Sequence, residues 1–211
     1  MNCLIVSNGF IEDYNFYKDI LKNMDFIICV DGGARHLINF GIKPNVIIGD
    51  LDSILSKDRE FFMSQDVEFV KFPADKDATD TELATELALE KNPETITYIG
   101  VLGSRMDHTL ANINLLKKSL DRKVKAKIVN EKNEIYLIDS EMEIEGNKNE
   151  FISIIPVTDE VIGVTLQGLK YPLSNVRIKF GSTWGISNEF IAKKAKIQIK
   201  KGMLLVIKSR D

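Results

Sequence analysis

Cysteine is scarce: Cys3 and Cys29 are the two in 211 residues. Such a pair supplies neither a disulfide framework nor a zinc site, which needs ligands at close spacing. Both fall in apolar stretches that read as strands, so two buried thiols in a reducing cytosol are expected. Long hydrophobic runs are also missing. None approaches the roughly 20 apolar residues of a membrane helix. The start, Met1-Asn2-Cys3-Leu4-Ile5-Val6, lacks the basic residues and small-residue cleavage site of a signal peptide and reads as a first strand. A cytoplasmic protein without a membrane partner is the expectation. Neither charge sign dominates: the formal net charge is -3, which gives no reason to expect nucleic acid. Repeats and low-complexity tracts are absent. So are the dinucleotide fingerprint, the phosphate loop ending in Gly-Lys-Ser/Thr and the protein-kinase signature set. A nucleotide, if used, must be held by another route.

Up to about residue 130, short apolar runs alternate with amphipathic stretches. The runs are Leu4-Val6, Phe26-Val30, Val46-Ile48, Val67-Val70, Ile96-Ile99 and Val124-Val129, rich in Val and Ile as strands buried on both faces are. Between them, helices are predicted over Tyr14-Lys22, over Ala34-Phe40 before Gly41 and Pro44, from Thr79 onward, and over Asp107-Lys118. Thr79-Asp80-Thr81-Glu82 has the hydroxyl and glutamate of a capping box. This alternation predicts a parallel sheet with right-handed crossovers in a domain spanning 1–130. From 131 to 211 helical periodicity stops, and short β-like segments separated by Gly, Asn, Pro and Ser predict an all-β domain. Lys201-Gly202 reads as the turn of a closing hairpin between Lys196-Lys200 and Met203-Ile207. The lysines from Lys193 to Lys201 read as a solvated strand face.

Acids gather in two stretches, Gly49-Asp50-Leu51-Asp52-Ser53 and Asp75-Lys76-Asp77-Ala78-Thr79-Asp80, each following an apolar run. Asp31 follows a third run and opens Asp31-Gly32-Gly33. Ligands of open α/β sheets bind outside the carboxyl ends of the strands. Carboxylates massed there repel one another and repel phosphate, and a hard cation such as Mg²⁺ resolves both conflicts. Each acid alone also fits a turn or a helix cap. The combination points to a metal–nucleotide site. Gly32 and Gly33 let backbone amides approach a ligand or form a tight connection, and Ser7-Asn8-Gly9 offers a similar turn. In Gly103-Ser104-Arg105-Met106-Asp107-His108, Arg105 suits a phosphate clamp, and Asp107 either caps its helix or meets substrate. His108 in a first helical turn and His36 on a helix surface read as structural.

Together these segments follow the order and spacing of thiamine pyrophosphokinases, and the chain resembles that family over nearly its whole length. Gly168-Leu169-Lys170-Tyr171-Pro172-Leu173 and Gly181-Ser182-Thr183-Trp184-Gly185-Ile186-Ser187-Asn188-Glu189 resemble the thiamine-side segments. The resemblance implies an N-terminal Rossmann-like α/β domain that binds nucleotide, a C-terminal antiparallel β-sandwich that binds thiamine and dimerises, and a homodimer with active sites between subunits. It implies transfer of a pyrophosphoryl group from ATP to the thiamine hydroxyl, with Mg²⁺ as cofactor. On this reading Asp50, Asp52 and Asp80 hold the metal and Asp77 assists. Arg105 steadies the transferred group with Lys76. Asp31, Gly32, Gly33 and Asp107 serve the nucleotide. Ser187 and Asn188 hydrogen-bond thiamine, and Tyr171 or Trp184 stacks on it. Two other readings compete: a nucleotide-sugar transferase or metal phosphatase using Asp-x-Asp, and a non-catalytic sensor.

Overall fold

The computed structural model describes residues 1–73, 75, 77–148 and 150–210. Its chain divides into two units, Met1–Glu131 and Lys132–Asp211. In the first, strands β1 (Asn2–Val6), β2 (Phe26–Val30), β3 (Val46–Gly49), β4 (Glu68–Lys71), β5 (Thr95–Ile99) and β6 (Lys125–Val129) form a parallel sheet in the order β4-β3-β2-β1-β5-β6. The connecting helices are α1 (Lys18–Leu21), α2 (Ala34–Phe40), α3 (Ser56–Met63), α4 (Asp80–Glu90), α5 (Met106–Asn114) and α6 (Leu116–Asp121).

The Val/Ile runs become strands because both sheet faces are covered. Leu4, Val6, Ile27, Cys29 and Ile47 pack with Tyr17, Leu37 and Phe62 on one side. Alternation along the strands turns Ile5, Ile28 and Ile48 to the other, where α4 crosses β1, β2 and β3 with Ala84 and Ala88 fully buried. The chain lays β2, β3 and β4 on one side of β1, then β5 and β6 on the other. Strand order therefore reverses between β1 and β5. Such reversals open a crevice at the carboxyl edge.

Three local expectations change. The predicted Tyr14-Lys22 helix shrinks to α1, because Tyr17 is pulled fully into the core with its ring edge-on to Phe16 and Phe40. The Asp107-Lys118 helix is two helices meeting at Leu115. Helix α3 was not expected: Phe61 and Met63 face solvent while Phe62 is buried, so no apolar stripe marks it.

The second unit holds β7 (Asn133–Ile138), β8 (Glu141–Glu145), β9 (Phe151–Pro156), β10 (Glu160–Gln167), β11 (Leu173–Lys179), β12 (Asn188–Glu189), β13 (Lys194–Gln198) and β14 (Leu204–Ser209). They form two antiparallel sheets, β12-β9-β14-β7 and β11-β10-β13-β8. Ile138, Ile154 and Val206 from one meet Val164, Ile178 and Ile197 from the other, making the expected sandwich. The expected closing hairpin does not form. β13 lies between β10 and β8, and β14 between β9 and β7. Each strand buries one row, Ala195 and Ile197 or Leu204 and Val206, and crossing between sheets lets both rows enter one core. Ile162 N–H to Lys201 O (2.9 Å) and Met203 N–H to Thr158 Oγ1 (3.1 Å) hold the crossing. The lysines of β13 meet acids of β8: Lys196 lies 3.1 Å from Glu141 and Lys194 3.8 Å from Glu143.

Candidate active site

Parallel pairing of β2 with β3 sets their carboxyl ends side by side, and with them Asp31 and Asp50. Asp31, Asp50 and Asp52 each offer a carboxylate oxygen within 4.8 Å of the others. Local hydrogen bonds build this group. The backbone N–H of Asp52 donates to Asp50 Oδ1 (3.2 Å), and Ser53 Oγ donates to Asp52 Oδ1 (2.9 Å). The Ser53 N–H donates to Asp31 Oδ2 (3.2 Å). Asp31 and Leu51 adopt left-handed backbone conformations (φ 44° and 65°), strained for residues with side chains, as at functional turns.

Asp31 is the buried member, 7% exposed, and its Oδ1 has no hydrogen-bond partner. Burial raises its pKa. The Ser53 hydrogen bonds oppose that rise, and the neighbouring Asp50 and Asp52 charges add to it. A buried, unpartnered carboxylate oxygen beside two more acids fits a divalent cation, which takes oxygen ligands and cancels the repulsion.

Asp80 approaches the same place from α4. A β-carbon added to Gly49 (φ 145°) would lie 3.0 Å from Asp31 Cβ and 3.5 Å from the Asp80 carboxyl, so both acids flank that backbone. Thr79 caps α4, its Oγ1 accepting the Glu82 N–H at 3.2 Å. Buried Ser7 Oγ meets Thr81 Oγ1 at 3.1 Å, tying the start of α4 to the end of β1. Sequence reading singled out neither hydroxyl, since their contact spans 74 residues. Asp75 and Asp77 are exposed and lie outside the three-carboxylate group, and Lys76 falls outside the described residues.

Gly32 and Gly33 are buried where β2 turns into α2, as the tight-connection reading of the pair has it. An added β-carbon would fall 2.4 Å from Asn8 Nδ2 at Gly32 and 2.4 Å from Val6 O at Gly33. They are glycines because the β1 loop packs on them. Arg105 precedes α5 and grips Asp107 by two hydrogen bonds, Nη2–Oδ2 at 2.6 Å and Nε–Oδ1 at 3.3 Å. The Arg105 bonds, with the His108 N–H, hold the Asp107 carboxyl down at about 2. Asp107 thus sits in the first turn of α5, and the cap position belongs to Arg105. His108 is exposed. His36, read as a surface residue, is 2% exposed with both ring nitrogens bonded.

In the second unit Tyr171 and Trp184 are exposed, at 57% and 51%. Lys170 Nζ lies 5.4 Å from the centre of the Tyr171 ring and pairs with Glu189 at 2.8 Å. Asn188 is buried and spends its amide on backbone: Oδ1 accepts from the Tyr171 N–H (2.9 Å) and the Glu189 N–H (3.0 Å), and Nδ2 donates to Tyr171 O (2.7 Å). It shapes the Tyr171 segment where a ligand contact had been expected. Ser187 is exposed, and its N–H donates to Ser153 Oγ at 3.0 Å.

An open parallel sheet with converging acids at its carboxyl edge, followed by an antiparallel sandwich, defines a two-unit class of enzyme acting on phosphate compounds. Comparison with known proteins narrows this class. The profile described as "Thiamin pyrophosphokinase, catalytic domain" matches residues 17–129, and "Thiamin pyrophosphokinase, vitamin B1 binding domain" matches 136–204. The thiamine pyrophosphokinase of Bacillus subtilis (strain 168) is 39% identical over 186 residues, 87% of each chain. A crystal structure of the Bacillus subtilis thiamine pyrophosphokinase aligns with TM-score 0.90 and 35% identity over 100% of both chains. That of the Geobacillus thermodenitrificans protein aligns with TM-score 0.86 and 33% identity over 100% of this chain and 98% of the other. The chain belongs to the thiamine pyrophosphokinase family, enzymes that make thiamine diphosphate from thiamine and ATP.

Proposed function

We propose that the three-carboxylate group of Asp31, Asp50 and Asp52, completed by Asp80, holds Mg²⁺ and through it the polyphosphate of ATP. The observation that carries this reading is the mutual 4.8 Å approach of three carboxylate oxygens, one from Asp31, which is buried and whose Oδ1 has no hydrogen-bond partner. A bound Mg²⁺ supplies charge neutralisation and orientation for the phosphates. The thiamine hydroxyl oxygen then forms a bond to the β-phosphorus as the bond to the bridging α,β-oxygen breaks, releasing AMP. Little covalent work falls to the protein, so positioning and electrostatics dominate.

The remaining roles follow from placement. Asp80, fixed by Thr79 and Thr81, completes the acidic wall. Arg105 exchanges its Asp107 partner for the transferred group, since a guanidinium binds phosphate by the same two-pronged geometry. Tyr171 and Trp184 offer exposed aromatic faces to a cationic thiazolium, with Asn188 holding the Tyr171 backbone and Ser187 beside it. The active form is a homodimer, a reading supported by exposed Ile186 and Ile191 near those aromatics in sequence. The enzyme acts in the cytoplasm, in keeping with the two free, buried cysteines. Among the described residues no helix is long and apolar enough to cross a membrane.

Incubation of the full chain with Mg²⁺, ATP and thiamine tests the reaction. Thiamine diphosphate and AMP in equal amounts are expected. Free phosphate without thiamine diphosphate, or binding without turnover, overturns it.

A further inference from the structure

His36 has both ring nitrogens committed inside the first unit. It lies on α2, its Nε2 is 2.8 Å from the Gly9 carbonyl oxygen, and its Nδ1 is 2.8 Å from the Tyr14 hydroxyl. A carbonyl only accepts, so the ring proton sits on Nε2. Nδ1 is then bare and accepts from Tyr14. The Tyr14 oxygen in turn accepts from Asn39 Nδ2 at 2.9 Å. Each donor and acceptor along Asn39, Tyr14, His36 and Gly9 is thereby assigned. Burial keeps the ring neutral against the Gly9 hydrogen bond. The nearby Arg35 charge reinforces burial, and Glu131 opposes it.

Arg35, one residue earlier, donates from Nη2 to the Asn8 carbonyl at 3.0 Å. Helix α2 therefore holds two successive carbonyls of the turn that follows β1. The same turn is bonded to the end of β5: the Gly9 N–H donates to Gly100 O (2.6 Å) and the Phe10 N–H to Leu102 O (3.1 Å). The turn thus spans β1 and β5, where strand order reverses and the ligand crevice of this sheet type opens. Phe10 at its tip is 66% exposed.

We propose that His36 is a positioning residue for the nucleotide, holding the Asn8–Phe10 turn in the shape that receives ATP at the β1/β5 crevice. The inference rests on the ATP-dependent reading above. His36 meets no substrate; it acts through the Gly9 carbonyl.

Two amide side chains separate its two bonds. Glutamine places an N–H near the Nε2 position and keeps the bond to Gly9. Asparagine reaches only the Nδ1 position, keeps a Tyr14 partner and loses Gly9. In the full chain, His36→Asn is expected to raise the KM for ATP about tenfold, the scale of one lost hydrogen bond on a buried carbonyl. The KM for thiamine and kcat should stay within about threefold, and His36→Gln should leave the KM for ATP within about threefold, although both variants melt earlier. An unchanged KM for ATP in His36→Asn, or equal rises in both variants, overturns the proposal. Should His36→Asn fail to fold, exposed Arg35 tests the same turn. Arg35→Met is expected to raise the KM for ATP about threefold, and no rise overturns the proposal. Calorimetric titration with ATP alone separates the two failures. No thiamine diphosphate from the parent chain refutes the reaction, whereas ATP binding equally tight in His36→Asn and parent refutes the positioning role.

Discussion

The two acidic segments look alike as strings of aspartate, yet they fold differently. Asp50 and Asp52 follow β3, and the hydrogen bonds of Asp52 and Ser53 curl them onto Asp31. Of the second segment, the capped start of α4 brings Asp80 to Gly49, while Asp75 and Asp77 remain exposed. A carboxylate joins the site when a strand end or a helix start fixes its backbone. Density of acids in the sequence does not by itself make a binding group.

Substitutions can break that comparison. Asp52→Asn should lower kcat by about 10²–10³-fold, the scale of losing one fixed electrostatic group. Its melting temperature should hold or rise, because crowded acids cost stability. Near-parental turnover would remove the first segment from the site. Asp31→Asn should also lose turnover, and its stability should depend on pH in a set way. Burial raises the Asp31 pKa in the folded chain, so the folded state favours the protonated acid. The stability this gives is complete below the ordinary aspartate range and is lost as pH rises through the raised folded value. Melting curves from pH 4 to 8 should show Asp31→Asn gaining on the parent as pH increases, and added Mg²⁺ should stabilise only the parent. Parallel curves would contradict a buried ionised acid. Thr79→Ala removes the α4 cap and should cost about 1 kcal/mol by denaturant titration, with a smaller loss of turnover through Asp80. Asp77→Asn should lower kcat far less than Asp52→Asn does, because its exposed carboxylate lies outside the three-carboxylate group. A loss equal to that of Asp52→Asn would erase the distinction between the segments.

Much of this was readable from local signals. Val/Ile runs gave the parallel strands because both sheet faces are buried, and Thr79 with Glu82 marked the start of α4. The sandwich followed from the loss of helical spacing after residue 130. What stayed hidden depends on distance along the chain. His36 is buried because Gly9, 27 residues earlier, needs its N–H. Gly32 and Gly33 accommodate the β1 loop, a packing demand no dipeptide reveals. Asp31 was assigned to the nucleotide, yet it stands with Asp50 and Asp52 because β2 and β3 are neighbours. Asn188 and Tyr171 meet across 17 residues, so the amide looked available for a ligand. The crossing at Gly202 was misread because a Lys-Gly step between two β-like runs suits a hairpin equally well.

That crossing sets a timetable for synthesis. The final strand, β14, is an interior member of its sheet, flanked by β7 and β9. The sandwich cannot close until Leu204–Ser209 has left the ribosome, whereas the parallel sheet has all six strands once Val129 emerges. Nascent chains stalled before Leu204 should therefore carry a protease-resistant first half attached to a second half that is still digestible.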